Sequence, residues 1–145
     1  ARVHLTSALR YPVFEAAEPS APRQRRGYGG SDSMLDTPWM RAMVESLLAE
    51  ELRALPDARV FPMGQRARAA VAHLVARGVL DAERVYYGMQ HPSTGNRMDV
   101  IPFIDPSQAS SHPRWQRRMQ RVAAERAEIL DKLARDWPLR TRCAA

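Results

Sequence analysis

Residues 58–67, Ala58-Arg59-Val60-Phe61-Pro62-Met63-Gly64-Gln65-Arg66-Ala67, decide how the chain is read. A short apolar run over Ala58–Pro62 reaches a proline, Gly64 turns the chain, and a helical pattern starts at Gln65. Ala67, Val71, Leu74 and Val75 recur at helical spacing as far as Arg77. Gly78 follows, where the end of a helix favours a left-handed backbone. Beyond it, Arg84–Gly88 reads as a second strand.

Working outward, Val3–Leu9 reads as a further strand, closed by Tyr11-Pro12 because proline cannot continue a central ladder. Residues 15–36 hold Pro19, Pro22, Gly27, Gly29 and Gly30 among polar residues, which predicts a long loop. Thr37 then serves as N-cap with Pro38 at the first helical position, where its missing N–H costs nothing. Met40, Met43, Val44, Leu47, Leu48, Leu52 and Leu55 form the apolar stripe of that helix, and Pro56-Asp57 ends it. A last helix, Pro113–Trp137, carries Trp115, Met119, Val122, Ala123, Ile129, Leu130, Leu133 and Trp137 on one face. Its other face holds Arg114, Arg117, Arg118, Arg121 and Arg126, and Pro138 stops it.

Strands alternating with helices predict an α/β fold, three-layer α/β/α with a short parallel sheet near residues 3–7, 58–62 and 84–88. Residues 1–106 would form the α/β domain and 107–145 a basic amphipathic helix with its tail. Ligands of open parallel sheets bind at the carboxyl ends of strands. That rule selects Thr6-Ser7, Met63-Gly64 and His91-Pro92-Ser93, which are expected to meet around one cleft.

Composition bounds the function. The 145 residues suffice for one modest domain, and a hydrophobic fraction of 45% excludes general disorder. No apolar run approaches the roughly 18 residues that span a bilayer. Cys143 is the sole cysteine, so neither an internal disulfide nor a thiolate metal site is expected, which suits a reducing cytoplasm. The net charge is +6, and Lys132 is the one lysine among the cations. Arginine pairs bidentately with phosphate without shifting its charge state, so a basic chain of this kind favours a polyanionic partner such as nucleic acid. The bland alternative is an arginine-rich composition spread over a solvated face.

The three strand ends, in their order, resemble the uracil-DNA glycosylase superfamily. Leu5-Thr6-Ser7-Ala8-Leu9-Arg10 is similar to the strand whose terminal polar residue reads the flipped base. Phe61-Pro62-Met63-Gly64-Gln65-Arg66-Ala67 resembles the strand-Gly-x-x-Ala-helix unit. His91-Pro92-Ser93 with Thr94-Gly95-Asn96-Arg97 resembles the His-Pro-Ser signature and its Gly/Asn-rich extension. The likeness covers about residues 2–104. It implies a base-excision enzyme hydrolysing the N-glycosidic bond of uracil or a related damaged base in DNA. His91 would be the catalytic residue, Thr6 and Ser7 the base-binding pair, and Gly64, Ser93, Asn96 and Arg97 the DNA contacts. No metal or other cofactor is expected, and no membrane.

Chemically, breaking the bond to deoxyribose leaves negative charge on the departing base. A histidine that donates to the base as this charge develops stabilises the transition state more than the ground state. The base must first leave the stack, so backbone contacts must act together with the pocket. Two departures stand out. Ser7 occupies the place where many members carry asparagine, and nothing here matches the motif with the water-positioning residue, since Asp32 and Asp36 fall in the loop. An N-terminal segment is therefore expected to precede Ala1, and the chain by itself is expected to excise little. The alternative is a non-catalytic nucleic-acid-binding α/β module. A small hydrolase with His91 as general base ranks below both, because no nucleophile elbow is present. His4, His73 and His112 read as packing, surface or helix-start residues.

Overall fold

The computed structural model describes residues 3–9, 11, 13 and 33–137. Most of the 15–36 loop lies outside the described residues, as do Pro12, Pro138 and Cys143. The described chain is mainly helical and contains no sheet, which corrects the three-layer α/β/α expectation. What joins the two runs flanking Gly64–Ala76 is one isolated parallel bridge, Val60 to Val85. The physical reason is local. A 3-10 turn, Ala82–Arg84, takes the residues before Val85, and a turn at Tyr87-Gly88 takes those after it. Pro62 has no N–H to extend the ladder from the other side.

Val3–Leu9 is not a strand either. Val3 and Leu5 are 84% and 80% exposed, so two apolar positions of the alternation face solvent, and Leu9 is the one that is buried. The polar positions are the ones that find a partner. His4 and Thr6 both bond the carboxylate of Glu51. Alternation of period two is what a half-buried strand needs, but it does not supply the neighbouring backbone that makes a ladder.

The chain divides into two compact units, residues 1–58 with 66–82 and residues 59–65 with 83–145. In the first, Thr37 has an extended backbone and its carbonyl accepts the Arg41 N–H, opening α1 (Pro38–Met43) with Pro38 in its first turn. A π-helical turn, Val44–Leu48, continues it into α2 (Ala49–Arg53). Met40, Val44, Leu48 and Leu52 are all buried. Steps of four residues drift around a regular α-helix, and the wider π turn brings them back toward one side. α3 (Gly64–Ala76) enters this unit from Arg66 onward and buries Ala70, Val71 and Leu74. Gly78 ends it with φ 67°, as its position after the helix predicts. Glu45 on the π turn accepts from His73 of α3 at 2.7 Å and lies 3.6 Å from Arg77. The His73 bond, with the nearby arginines, holds the Glu45 carboxyl below its usual range.

In the second unit the bridge is made by Val60 N–H to the Arg84 carbonyl, 2.9 Å, and Tyr86 N–H to the Val60 carbonyl, 2.8 Å. Phe61 stacks on Tyr86 with ring centroids 4.8 Å apart. After His91 come a 3-10 turn, Thr94–Asn96, and α4 (Arg97–Ile104), a helix that the sequence reading did not anticipate. A further 3-10 turn, Pro113–Trp115, leads into α5 (Gln116–Asp136). α5 buries Met119, Val122 and Ile129, whereas Leu130 and Trp137 of the expected apolar face are exposed. Its far end is tied down by Tyr86, whose hydroxyl donates to Asp136 at 2.8 Å and accepts from Arg59 Nε at 3.1 Å. Burial, then the Asp136 carboxylate, pushes that hydroxyl's pKa up.

Candidate nucleic-acid interface

The parallel bridge carries two short runs side by side, and their ends bring two of the selected motifs together. Four residues beyond Val60, the Gly64 N–H donates to the Met89 carbonyl at 3.1 Å. Gly64 has φ 82°, and a Cβ placed on it would lie 2.8 Å from the Cβ of His91. Only a residue without a side chain allows this approach, and only glycine adopts that backbone at little cost. The start of α3 and the His-Pro-Ser segment are therefore in contact, with Gly64 as the point of closest approach.

His91 is exposed. Its carbonyl accepts the Ser93 N–H at 2.8 Å, and the Ser93 carbonyl accepts the Asn96 N–H at 3.0 Å. These two bonds turn the chain from His91 through Ser93 and Asn96 into the first turn of α4, which Arg97 opens. Gly95 is open to solvent, with only the Ser93 hydroxyl oxygen at 4.0 Å from where its Cβ would be. His91, Ser93, Asn96 and Arg97 thus form one short exposed or half-buried segment beside Gly64.

Thr6 and Ser7 are placed otherwise. They belong to the first unit, where both are exposed and the Thr6 hydroxyl donates to Glu51 at 2.9 Å. A single cleft at aligned strand ends was expected for Thr6, Ser7, Gly64 and His91. The sheet whose strand ends led to that expectation is absent from the described residues, and within the second unit Gly64 and His91 meet.

Sequence reasoning missed Asp99. It lies in the first turn of α4, is 6% exposed, and is the buried charged residue of the described chain. Arg118 Nε and Nη2 of α5 reach its two oxygens at 2.5 and 2.9 Å, and Arg121 Nη2 lies at 3.4 Å. The bond to Asp99 raises the Arg118 pKa further. Trp115 flanks the same guanidinium, with Arg118 at 5.5 Å and Arg114 at 5.2 Å from its ring centre. Asp99, Arg117, Arg118 and Arg121 line an open concavity. The one signal in the sequence was an acidic residue amid the apolar run Met98-Asp99-Val100-Ile101.

Among the described residues no group of three or more His, Cys, Asp or Glu is placed to hold a metal, and no helix is long and apolar enough to cross a membrane. Comparison of the chain with protein-family models, curated proteins and solved structures finds no match.

Proposed function

We propose that this chain serves base excision from DNA, cleaving the N-glycosidic bond of uracil or a related damaged base, with His91 donating to the departing base. The observation that supports the reading is the contact between Gly64 and His91. It joins the helix-opening glycine and the His-Pro-Ser segment, two of the three motifs that carry the resemblance. His91 is exposed on that contact, so a flipped base can reach it. The turn from Ser93 to Arg97 leaves hydroxyl, amide and guanidinium groups beside it for the strand that carries the base. The reading rests on this segment and not on a sheet.

The test is single-turnover excision from uracil-containing single and double strands by the product of the complete reading frame, with His91→Ala measured beside it. The donated bond matters in the transition state, so the variant should lose about 100- to 1000-fold in rate and keep its strand affinity. Equal rates in the two proteins would reduce His91 to a turn residue. Strand binding without excision in either protein would favour the non-catalytic binding module.

A further inference from the structure

We propose that the arginine cluster clamped by Asp99 is a phosphate site, and that it takes the sugar–phosphate backbone of a nucleic-acid strand. The proposal rests on the reading of the chain as one that acts on DNA, and it assigns the strand contact to arginines that lie beyond the residues the family resemblance covers. Four arginines, Arg114, Arg117, Arg118 and Arg121, stand within eight residues, and no acidic residue occurs between Pro106 and Ala124. Like charges at this density repel one another unless something holds them. Asp99 does so from α4, taking Arg118 through both of its oxygens and reaching Arg121 as well. The ring of Trp115 flanks Arg118 in addition.

One carboxylate cannot neutralise three guanidinium groups. The concavity lined by Asp99, Arg117, Arg118 and Arg121 keeps a surplus of positive charge. Arg117 forms no hydrogen bond or ion pair with any described residue, and it is exposed. Arg121 spends one nitrogen on Asp99 at the long distance of 3.4 Å and keeps its other donors. The cluster therefore presents two arginine forks around a pre-oriented third, the arrangement that a phosphate's oxygens accept. Asp99 is a positioning residue, since it would fix Arg118 without touching the strand itself.

A single-stranded oligodeoxythymidine carrying a fluorescent label is the probe, and anisotropy across a salt series on the full chain is the readout. Arg117→Gln should weaken binding about tenfold at low salt. It should also reduce the slope of log K against log salt by about 0.7, the value for one phosphate lost on a single strand. Arg135→Gln removes the same charge from an exposed position near the other end of α5 and should change neither quantity. Asp99→Asn makes the protein more positive, so diffuse attraction would tighten binding, whereas loss of the clamp weakens it. Circular dichroism confirms folding, and Arg117, being exposed and without a partner among the described residues, puts the fold at little risk. Equal effects of Arg117→Gln and Arg135→Gln would overturn the site in favour of general basicity. Calorimetry with inorganic phosphate separates the two sources of the ligand. Millimolar phosphate binding that Arg117→Gln abolishes, with strand binding unchanged by that substitution, would overturn the strand assignment. Arg117-dependent strand binding without any excision would sink the excision reading alone. Excision with strand affinity indifferent to Arg117 would sink the phosphate site alone.

Discussion

Gly64→Ala tests the contact on which the functional reading stands, and Gly78→Ala supplies its internal reference. Both glycines have left-handed backbones, φ 82° and 67°. At Gly78 nothing lies within 4 Å of the added Cβ, so the substitution measures backbone strain alone. That strain is about 1–2 kcal/mol for an L-residue, partly offset by about 0.4–1 kcal/mol from the less flexible unfolded chain. The net cost at Gly78 is therefore about 1 kcal/mol. At Gly64 the same terms apply, but the new Cβ lies 2.8 Å from the His91 Cβ. Ordinary carbon contacts fall at about 3.5–4.0 Å, so the backbones must part by roughly 1 Å. The Gly64 N–H bond to Met89 lies in the same place and would lengthen with them, at about 1 kcal/mol for a bond lost. Gly64→Ala should thus cost about 2–4 kcal/mol, clearly more than its reference. Urea titrations of the two variants followed by far-UV circular dichroism read the difference as a larger fall in midpoint for Gly64→Ala. In the excision assay the same 1 Å displacement of His91 should cost about 100-fold in rate. Equal midpoints for the two variants would refute the close approach, and with it the placement of His91 against the start of α3.

Tyr86→Phe removes a hydroxyl that bonds both Arg59 and Asp136, and should cost about 1–2 kcal/mol, read as a lower thermal midpoint. An unchanged midpoint would mean that the Tyr86 hydroxyl does not help to hold the end of α5. Ile129→Ala should cost about 2–4 kcal/mol in chemical denaturation while Leu130→Ala costs well under ~1, because the first side chain is 3% exposed and the second 44%. A reversed order would mean that α5 is rotated from the face described. Glu45 is held below its ordinary pKa of 4.5, chiefly by the bond from His73. Its contribution is therefore present above pH 4.5 and lost as pH falls through the lower folded value. The thermal midpoint of the wild type should fall more steeply on acidification toward pH 3 than that of Glu45→Gln, about as far as the carboxylate titrates. Parallel curves would remove Glu45 from the account.

The elements that were legible in the sequence are those whose signals are local. Thr37-Pro38 opens a helix because a capping position and a proline at the first turn act on their own neighbours. Gly78 ends one by the same kind of rule. The expected sheet fails because a ladder requires a second backbone, and nothing in Val3–Leu9 encodes one. Its alternation placed Val3 and Leu5 in solvent and gave His4 and Thr6 to Glu51, forty-odd residues away along the chain. α4 was hidden for a different reason. Pro102 stands inside it, and the Thr-Gly-Asn turn before it reads as loop. Gly64 and His91 were legible as candidates because their motifs are compact. The Asp99 cluster was not, since its members lie 19 and 22 residues apart and meet only when α4 packs on α5.

The charge on α5 also answers the blandest reading of this basic chain, that its arginines are a compositional habit spread over the surface. Beyond Ala124 the helix alternates signs, with Glu125, Glu128, Asp131 and Asp136 among Arg126, Lys132 and Arg135. Lys132 lies near Glu83, and the Asp136 carbonyl accepts from Arg59. Ahead of Ala124 there are only cations, and the first turn of α5 holds no acidic residue. That is the unfavourable end for them. Helix N-termini carry partial positive charge, and a cation there costs about 0.3–1 kcal/mol. An acidic residue in that turn would relieve the repulsion within α5 itself. The compensation comes instead from Asp99, on another helix and buried, so that a carboxylate loses its water to hold Arg118 and Arg121. A sequence shaped for stability alone would not choose the dearer arrangement. Broken local rules with remote compensation mark places shaped by something other than folding. Here the rule is broken in the segment whose arginines remain partly free, which is the ground on which the phosphate site is proposed.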